Sequence, residues 1–185
     1  MDKEKFDQVF NEELGGMFGS VIAQDPVELW PVIQRLNALQ PRRILEIGMN
    51  YGGTTRIWQE LTREPVVAID MDTSKIAVDF SKHIQPLLIQ GDSTDPETIA
   101  KARELAPYDF LFIDGGHDYP VAKSDWDNYS PMVRPGGLIG FHDVKAPIPG
   151  PHTLVKEIGE AGFLCELFID GKGGGMGIAL ITKSL

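Results

Sequence analysis

The chain has 185 residues, a formal net charge of −10 and one cysteine, Cys165. That length fits a single domain, for which about 100–200 residues is usual. The acidic excess disfavours nucleic-acid and anionic-membrane partners, and a lone cysteine excludes an internal disulfide or a cysteine-based zinc site. The start, MDKEKF, is charged where a signal peptide needs an apolar core. No apolar run approaches the roughly 20 residues that cross a bilayer, so a cytoplasmic protein is expected.

Residues 2–40 read as helical, with 1–40 a helical extension packed on the same domain as 41–185. Asp25-Pro26 with Glu28 supplies an N-cap, a proline at the first helical position and a capping-box glutamate. Leu29, Ile33, Leu36 and Leu39 follow at helical spacing, and Pro31 among them predicts a kink or a late start. This amphipathic segment is suited to packing across a homodimer.

From residue 42 short apolar runs alternate with amphipathic stretches. The runs are RILEIG (43–48), VVAID (66–70), PLLIQGD (86–92), YDFLFIDG (108–115) and GLIGFHDV (137–144). Being nearly continuous in apolar residues, they read as strands covered on both faces. Helices are expected over 53–62, 73–84, 96–106, 119–130 and 152–161, the third opened by Asp95 as N-cap and Pro96. FLCELFID (163–170) and GMGIALITK (175–183) have only GKGGG between them, which predicts an antiparallel hairpin on one edge. The sum is an α/β fold, a single doubly wound, Rossmann-like sheet of seven strands, mostly parallel with an antiparallel C-terminal end.

Ligands of such sheets bind beyond the carboxyl ends of the strands. Here those ends carry Gly48, Asp70, Asp92, Asp114 and the pair His142-Asp143. Gly48 permits a sharp turn, and Gly52-Gly53 let a ligand approach backbone at a helix N-terminus, where free N–H groups attract an anion. A dinucleotide fingerprint has glycine where this chain has Asn50. A side chain there obstructs a pyrophosphate but not a small carboxylate. Asp70 follows Gly48 by 22 residues, the place for an acid that binds ribose hydroxyls.

LEIGMNYGG resembles the first motif of class I S-adenosylmethionine (SAM)-dependent methyltransferases, with Asn50 replacing its middle glycine. AIDMD looks like their second motif and QGDS like their third. The resemblance covers about residues 40–183. It implies Gly48, Asn50 and Gly52 near the methionine part of SAM, Asp70 with Met71 at the ribose, and Asp92 with Ser93 at the adenine. Glu46 would orient the loop backbone or the cofactor amino group.

FIDGGHDY (112–119), RPGG (134–137) and FHDV (141–144) resemble a methyltransferase 24-like subgroup that includes macrocin- and mycinose-type sugar O-methyltransferases and cephalosporin-hydroxylase-like proteins. They are more distantly similar to catechol O-methyltransferases. In those families the strand-four acid and an acidic pair ending strand five bind a divalent cation, usually Mg²⁺. The resemblance therefore implies Asp114 and Asp143 as ligands, also placing Asp114 beside SAM, and His142 at the third position. His117 maps onto the family's proposed general base. His142 departs from the pattern, since relatives carry Asp or Glu there. An imidazole suits Mg²⁺ poorly, which leaves three options: a weaker site, a preference for Mn²⁺, Zn²⁺ or Fe²⁺, or no metal. His142 would otherwise lie behind the ligands or touch substrate.

Moving a methyl group from a sulfonium to a hydroxyl is an in-line displacement, so the oxygen must be made nucleophilic by a base or a cation. The reading is a SAM-dependent O-methyltransferase whose small-molecule acceptor is a sugar, a glycosylated natural product or a catechol-like diol. An NAD-dependent oxidoreductase and a non-catalytic SAM-binding protein are the alternatives. His83 and His152 read as surface residues, Cys165 as packed, the three tryptophans as core or interface, and Tyr51 and Tyr119 as facing the crevice.

Overall fold

The computed structural model describes residues 1–16, 21–145, 149–169 and 175–184. Seven strands, β1 (Ile44–Ile47), β2 (Val67–Asp70), β3 (Leu87–Gln90), β4 (Tyr108–Ile113), β5 (Val133–His142), β6 (Cys165–Phe168) and β7 (Ile178–Thr182), form one sheet. Its order is β3-β2-β1-β4-β5-β7-β6. The first five strands pair in parallel, and β7 runs antiparallel to both its neighbours. The C-terminal hairpin thus forms as expected, but β7 slots between β5 and β6, so that of the hairpin's two strands β6 alone lies at a sheet edge.

Alternation along the central strands divides the core. Phe110 and Phe112 of β4 face one side, where they join Trp58, Leu29, Ile33 and Phe6. Leu111 and Ile113 face the other, joining Phe141, Ile139, Ala122 and Leu154. The first layer comprises α1 (Lys3–Asp7) with the wider π turn that continues it over Gln8–Glu13, α2 (Pro26–Leu39) and α3 (Gly53–Gln59). The second comprises α4 (Pro96–Glu104), α5 (Tyr119–Tyr129) and α6 (Pro149–Glu160). The N-terminal extension packs on the sheet itself. Trp58, edge-on to Phe110 and Phe112, is a core residue.

Helix α2 begins at Pro26 with the Asp25 side chain accepting from the Val27 N–H, so Pro31 lies within the helix rather than delaying it. Glu28 is buried and accepts from the Gly177 N–H. α4 starts as the sequence indicates, Asp95 capping the Glu97 N–H. No helix among the described residues is long and apolar enough to cross a membrane.

The helix expected over 73–84 does not form. Two 3₁₀ turns, Thr73–Lys75 and Phe80–Lys82, take its place. Asp72 and Asp79 each accept from the backbone N–H two residues on, a local bond that competes with helix propagation. The N–H groups of Ala77 and Val78 both donate to the Tyr51 carbonyl, at 3.0 and 3.2 Å. The crossover is thereby sewn to the glycine turn instead of covering the sheet. That leaves β3 open: Leu87 and Leu88 are exposed, contrary to the expectation of strands covered on both faces.

Candidate active site

A cavity of about 1000 Å³ opens where the strands β1, β2 and β4 end. Gly48, Asn50 and Tyr51 of the turn after β1 form one wall, and Asp70 and Met71 lie beside them. Asp92 and Ser93, from the loop after β3, close one end. Asp114, His117, His142 and Asp143 line the other. The strand-end residues picked out by the sequence therefore share one space.

The turn depends on glycine. Gly48 has φ +88°, and a Cβ there would lie 2.0 Å from the Asp114 carbonyl oxygen, so the end of β1 abuts the end of β4. Asn50 follows in the left-handed region at φ 49°, with its N–H donating to Asp70 Oδ2 at 2.7 Å. The second Asp70 oxygen accepts from the Asp72 N–H at 2.9 Å. Asp92 accepts from the backbone and the hydroxyl of Thr94, which hold its carboxyl below the usual range.

Two residues expected at the cofactor stand elsewhere. Glu46 is fully buried behind the turn, accepting from the Thr55 hydroxyl and, at 3.3 Å, from Trp58 Nε1. Its position in the middle of β1 turns it away from the cavity, towards α3. Burial, partly offset by those two donors, pushes its carboxyl up to about 8, and the charges of Asp114 and Asp70 add to the rise. Gly52, at φ +91°, packs against Phe80 and Met49 as the cap of α3, while Gly53 next to it reaches the cavity. Tyr119 also turns away, its hydroxyl donating to Glu157.

At the other end four side chains meet. His142 Nδ1 lies 3.1 Å from Asp114 Oδ1 and 3.3 Å from Asp143 Oδ2. His117 Nε2 lies 2.7 Å from Asp143 Oδ2. Burial opposes a proton on His142, but the two carboxylates outweigh it and lift the imidazole to about 10. Burial likewise raises the Asp143 carboxyl, and the bond and charge of His142 with the charge of His117 bring it below the ordinary value. Asp143 occupies φ 60°, a backbone conformation costing a non-glycine residue about 1–3 kcal/mol. Ligand atoms of Asp114, His117 and Asp143 lie within 4.8 Å of one another. Two carboxylates and an imidazole form a donor set that fits a divalent cation. The sequence had placed His142, not His117, as the third member.

The cavity has a further wall that no sequence motif announces. Val21, Ile22, Ala23 and Gln24 line the cavity from the segment ahead of α2. Gln24 Nε2 donates to Asp114 Oδ2 at 2.5 Å across 90 residues of sequence. No periodicity or motif marks that segment.

Residues 45–144 match the family model of a methyltransferase domain. The chain belongs to this family. This methyltransferase domain is 31% identical over 115 residues to mycinamicin VI 2''-O-methyltransferase of Micromonospora griseorubida, covering 57% of this chain and 28% of that protein. It is 24% identical over 146 residues to rhamnosyl O-methyltransferase of Mycobacterium bovis, covering 70% of this chain and 60% of that one. The chain thus spans less than two thirds of either relative. Among solved structures, TomG of Streptomyces achromogenes, an O-methyltransferase of tomaymycin synthesis in complex with SAM, superposes with a TM-score of 0.67 at 19% identity. That alignment covers 100% of this methyltransferase domain and 91% of TomG. MycE, a methyltransferase of mycinamycin biosynthesis in complex with Mg and SAH (S-adenosylhomocysteine), superposes at 0.63 with 22% identity over 83% of this chain and 49% of that one. At these identities the likeness concerns the fold.

Proposed function

We propose that this chain transfers a methyl group from SAM to a hydroxyl of a small molecule, a sugar, glycosylated natural product or catechol-like diol. The observation that carries the reading is the single cavity joining the glycine turn, Asp70 and Asp92 to the cluster of Asp114, His117 and Asp143. Five aspartates and one lysine line it, a balance that favours a positively charged sulfonium. The family match and the O-methyltransferase names of the relatives support this reading over a nicotinamide-dependent oxidoreductase.

In this reading the turn holding Gly48 and Asn50 seats the methionine part, Asp70 and Met71 the ribose, and Asp92 with Ser93 the adenine. Asp114 and Asp143 would hold a divalent cation. When bound, such a cation orients two acceptor oxygens and favours the alkoxide. His142, buried with its Nδ1 between the two carboxylates, keeps them aimed at that point. His117, whose side chain is 55% exposed at the cavity mouth, donates from Nε2 to Asp143 and takes the acceptor proton at its other ring nitrogen, Nδ1. A second reading follows from the 4.8 Å grouping, in which His117 is the third cation ligand. Replacing His117 by Ala separates the two: a base is lost without loss of cation affinity, a ligand with it.

The deciding experiment is binding followed by turnover. SAM and SAH should raise the unfolding midpoint where NAD does not, and methyl transfer to diol acceptors should fall on chelation and return with Mg²⁺ or Mn²⁺. Stabilisation by NAD alone overturns the reading. SAM binding without transfer to any hydroxylated acceptor leaves a non-catalytic SAM-binding domain. Full activity after exhaustive chelation removes the cation.

A further inference from the structure

Gln24 belongs to none of the motifs, yet its side chain sits where the two halves of the cavity meet. It is 4% exposed. Nε2 donates to Asp114 Oδ2 at 2.5 Å, and Oε1 accepts from the Thr54 hydroxyl, in the first turn of α3, at 2.8 Å. The amide has only one workable orientation, because reversal would set its oxygen against a carboxylate. Both oxygens of Asp114 are then engaged, Oδ1 by His142 and Oδ2 by Gln24. The segment bearing Gln24 is itself held close. A Cβ on Gly53 would lie 2.2 Å from the Val21 carbonyl oxygen and 2.8 Å from the Ile22 Cβ, so this backbone passes directly over the start of α3.

We propose that Gln24 is a positioning residue, fixing the Asp114 carboxylate against the first turn of α3 so that the cofactor and cation seats keep one geometry. The inference rests on the cofactor and cation roles assigned above. A carboxylate at the end of a strand turns freely about its side-chain bonds unless both oxygens are held. Partners of this kind behind a metal ligand are worth roughly 10–100-fold in metal affinity or activity. Gln24 also bonds on one side to Thr54, in the first turn of the helix that follows the glycine turn, and on the other to Asp114, so its effect should reach cofactor as well as cation.

The test uses Gln24→Met, which keeps the length and removes the donor, and Gln24→Ala, which removes the amide altogether. Calorimetry would read SAH affinity, then Mn²⁺ affinity with SAH bound, and thermal unfolding would check the fold. Gln24→Met should weaken Mn²⁺ roughly 10–100-fold and SAH severalfold, with an unfolding midpoint near that of the unaltered protein. Gln24→Ala should weaken Mn²⁺ to a similar extent, and carries the test alone should Gln24→Met unfold. Folded variants with unaltered affinities for both ligands overturn the inference. If the unaltered protein binds SAH but no Mn²⁺, and Gln24→Met still weakens SAH, the cation role falls and the positioning of Asp114 stands. If SAH affinity also survives the substitution, both fall.

Discussion

Asp70, at the end of β2, holds the backbone N–H of Asn50, in the turn after β1, at 2.7 Å. With the bond to the Asp72 N–H, this one carboxylate braces two loops that line the cavity. Asp70→Ala removes both bonds. A hydrogen bond to a charged group is worth about 1.5–3 kcal/mol, so SAH affinity should fall at least roughly tenfold, as calorimetry would show. Affinity unchanged would mean that neither the loops nor the ribose depend on Asp70.

His117→Ala should lower turnover by about 10²–10⁴-fold, the usual worth of a placed acid–base group. SAH affinity should stay within a few-fold, because His117 meets Asp143 rather than the glycine turn. Turnover that survives the substitution would remove His117 from proton transfer.

Glu46 makes stability depend on pH. Its carboxyl ordinarily titrates near 4.5 and in the fold, through burial first, near 8. The folded chain therefore holds that proton more tightly than the unfolded one. The resulting stability is complete below about pH 4.5 and drains away as pH rises to about 8. Asp125, buried beneath the loop carrying Ser93 and raised to about 6, acts in the same sense over a lower window. Glu46→Gln, which resembles the neutral acid, should flatten the decline of unfolding temperature between pH 5 and 9. An identical decline in that variant would place the titration elsewhere.

Gly48→Ala should be among the most damaging single changes in the chain. It combines a left-handed φ with a Cβ 2.0 Å from the Asp114 carbonyl oxygen. A loss of about 3 kcal/mol or more is expected, measured by denaturant unfolding. Gly162→Ala is the control, since its φ is +95° but nothing lies within 4 Å of an added Cβ. It should cost only about 1–2 kcal/mol. Equal losses would refute close approach as the reason for Gly48.

What could be read in advance was what local chemistry decides. Continuous apolar runs placed the strands, and residues at their ends marked the cavity, because a parallel sheet delivers all such ends to one side. Asp95 and Pro96 marked a helix start through bonds reaching only two residues. The failures involve partners distant in sequence. The stretch 73–84 has helical composition, but the Tyr51 carbonyl takes the N–H groups of Ala77 and Val78. Glu46 sits in a motif associated with the cofactor, yet the alternation of a strand turns it towards Thr55 and Trp58. Gln24 reaches Asp114 only because Gly53 lets the preceding segment lie flat on α3.

The strand order also constrains when the sheet can be completed. β7 lies between β5 and β6 and follows both in sequence. Until residues 178–182 have been synthesised, β5 has no neighbour on that side and β6 no neighbour at all. During translation, then, the cavity-lining loops after β1, β2 and β4 can be present while an interior ladder still waits for its middle strand, exposing backbone that invites pairing with another chain.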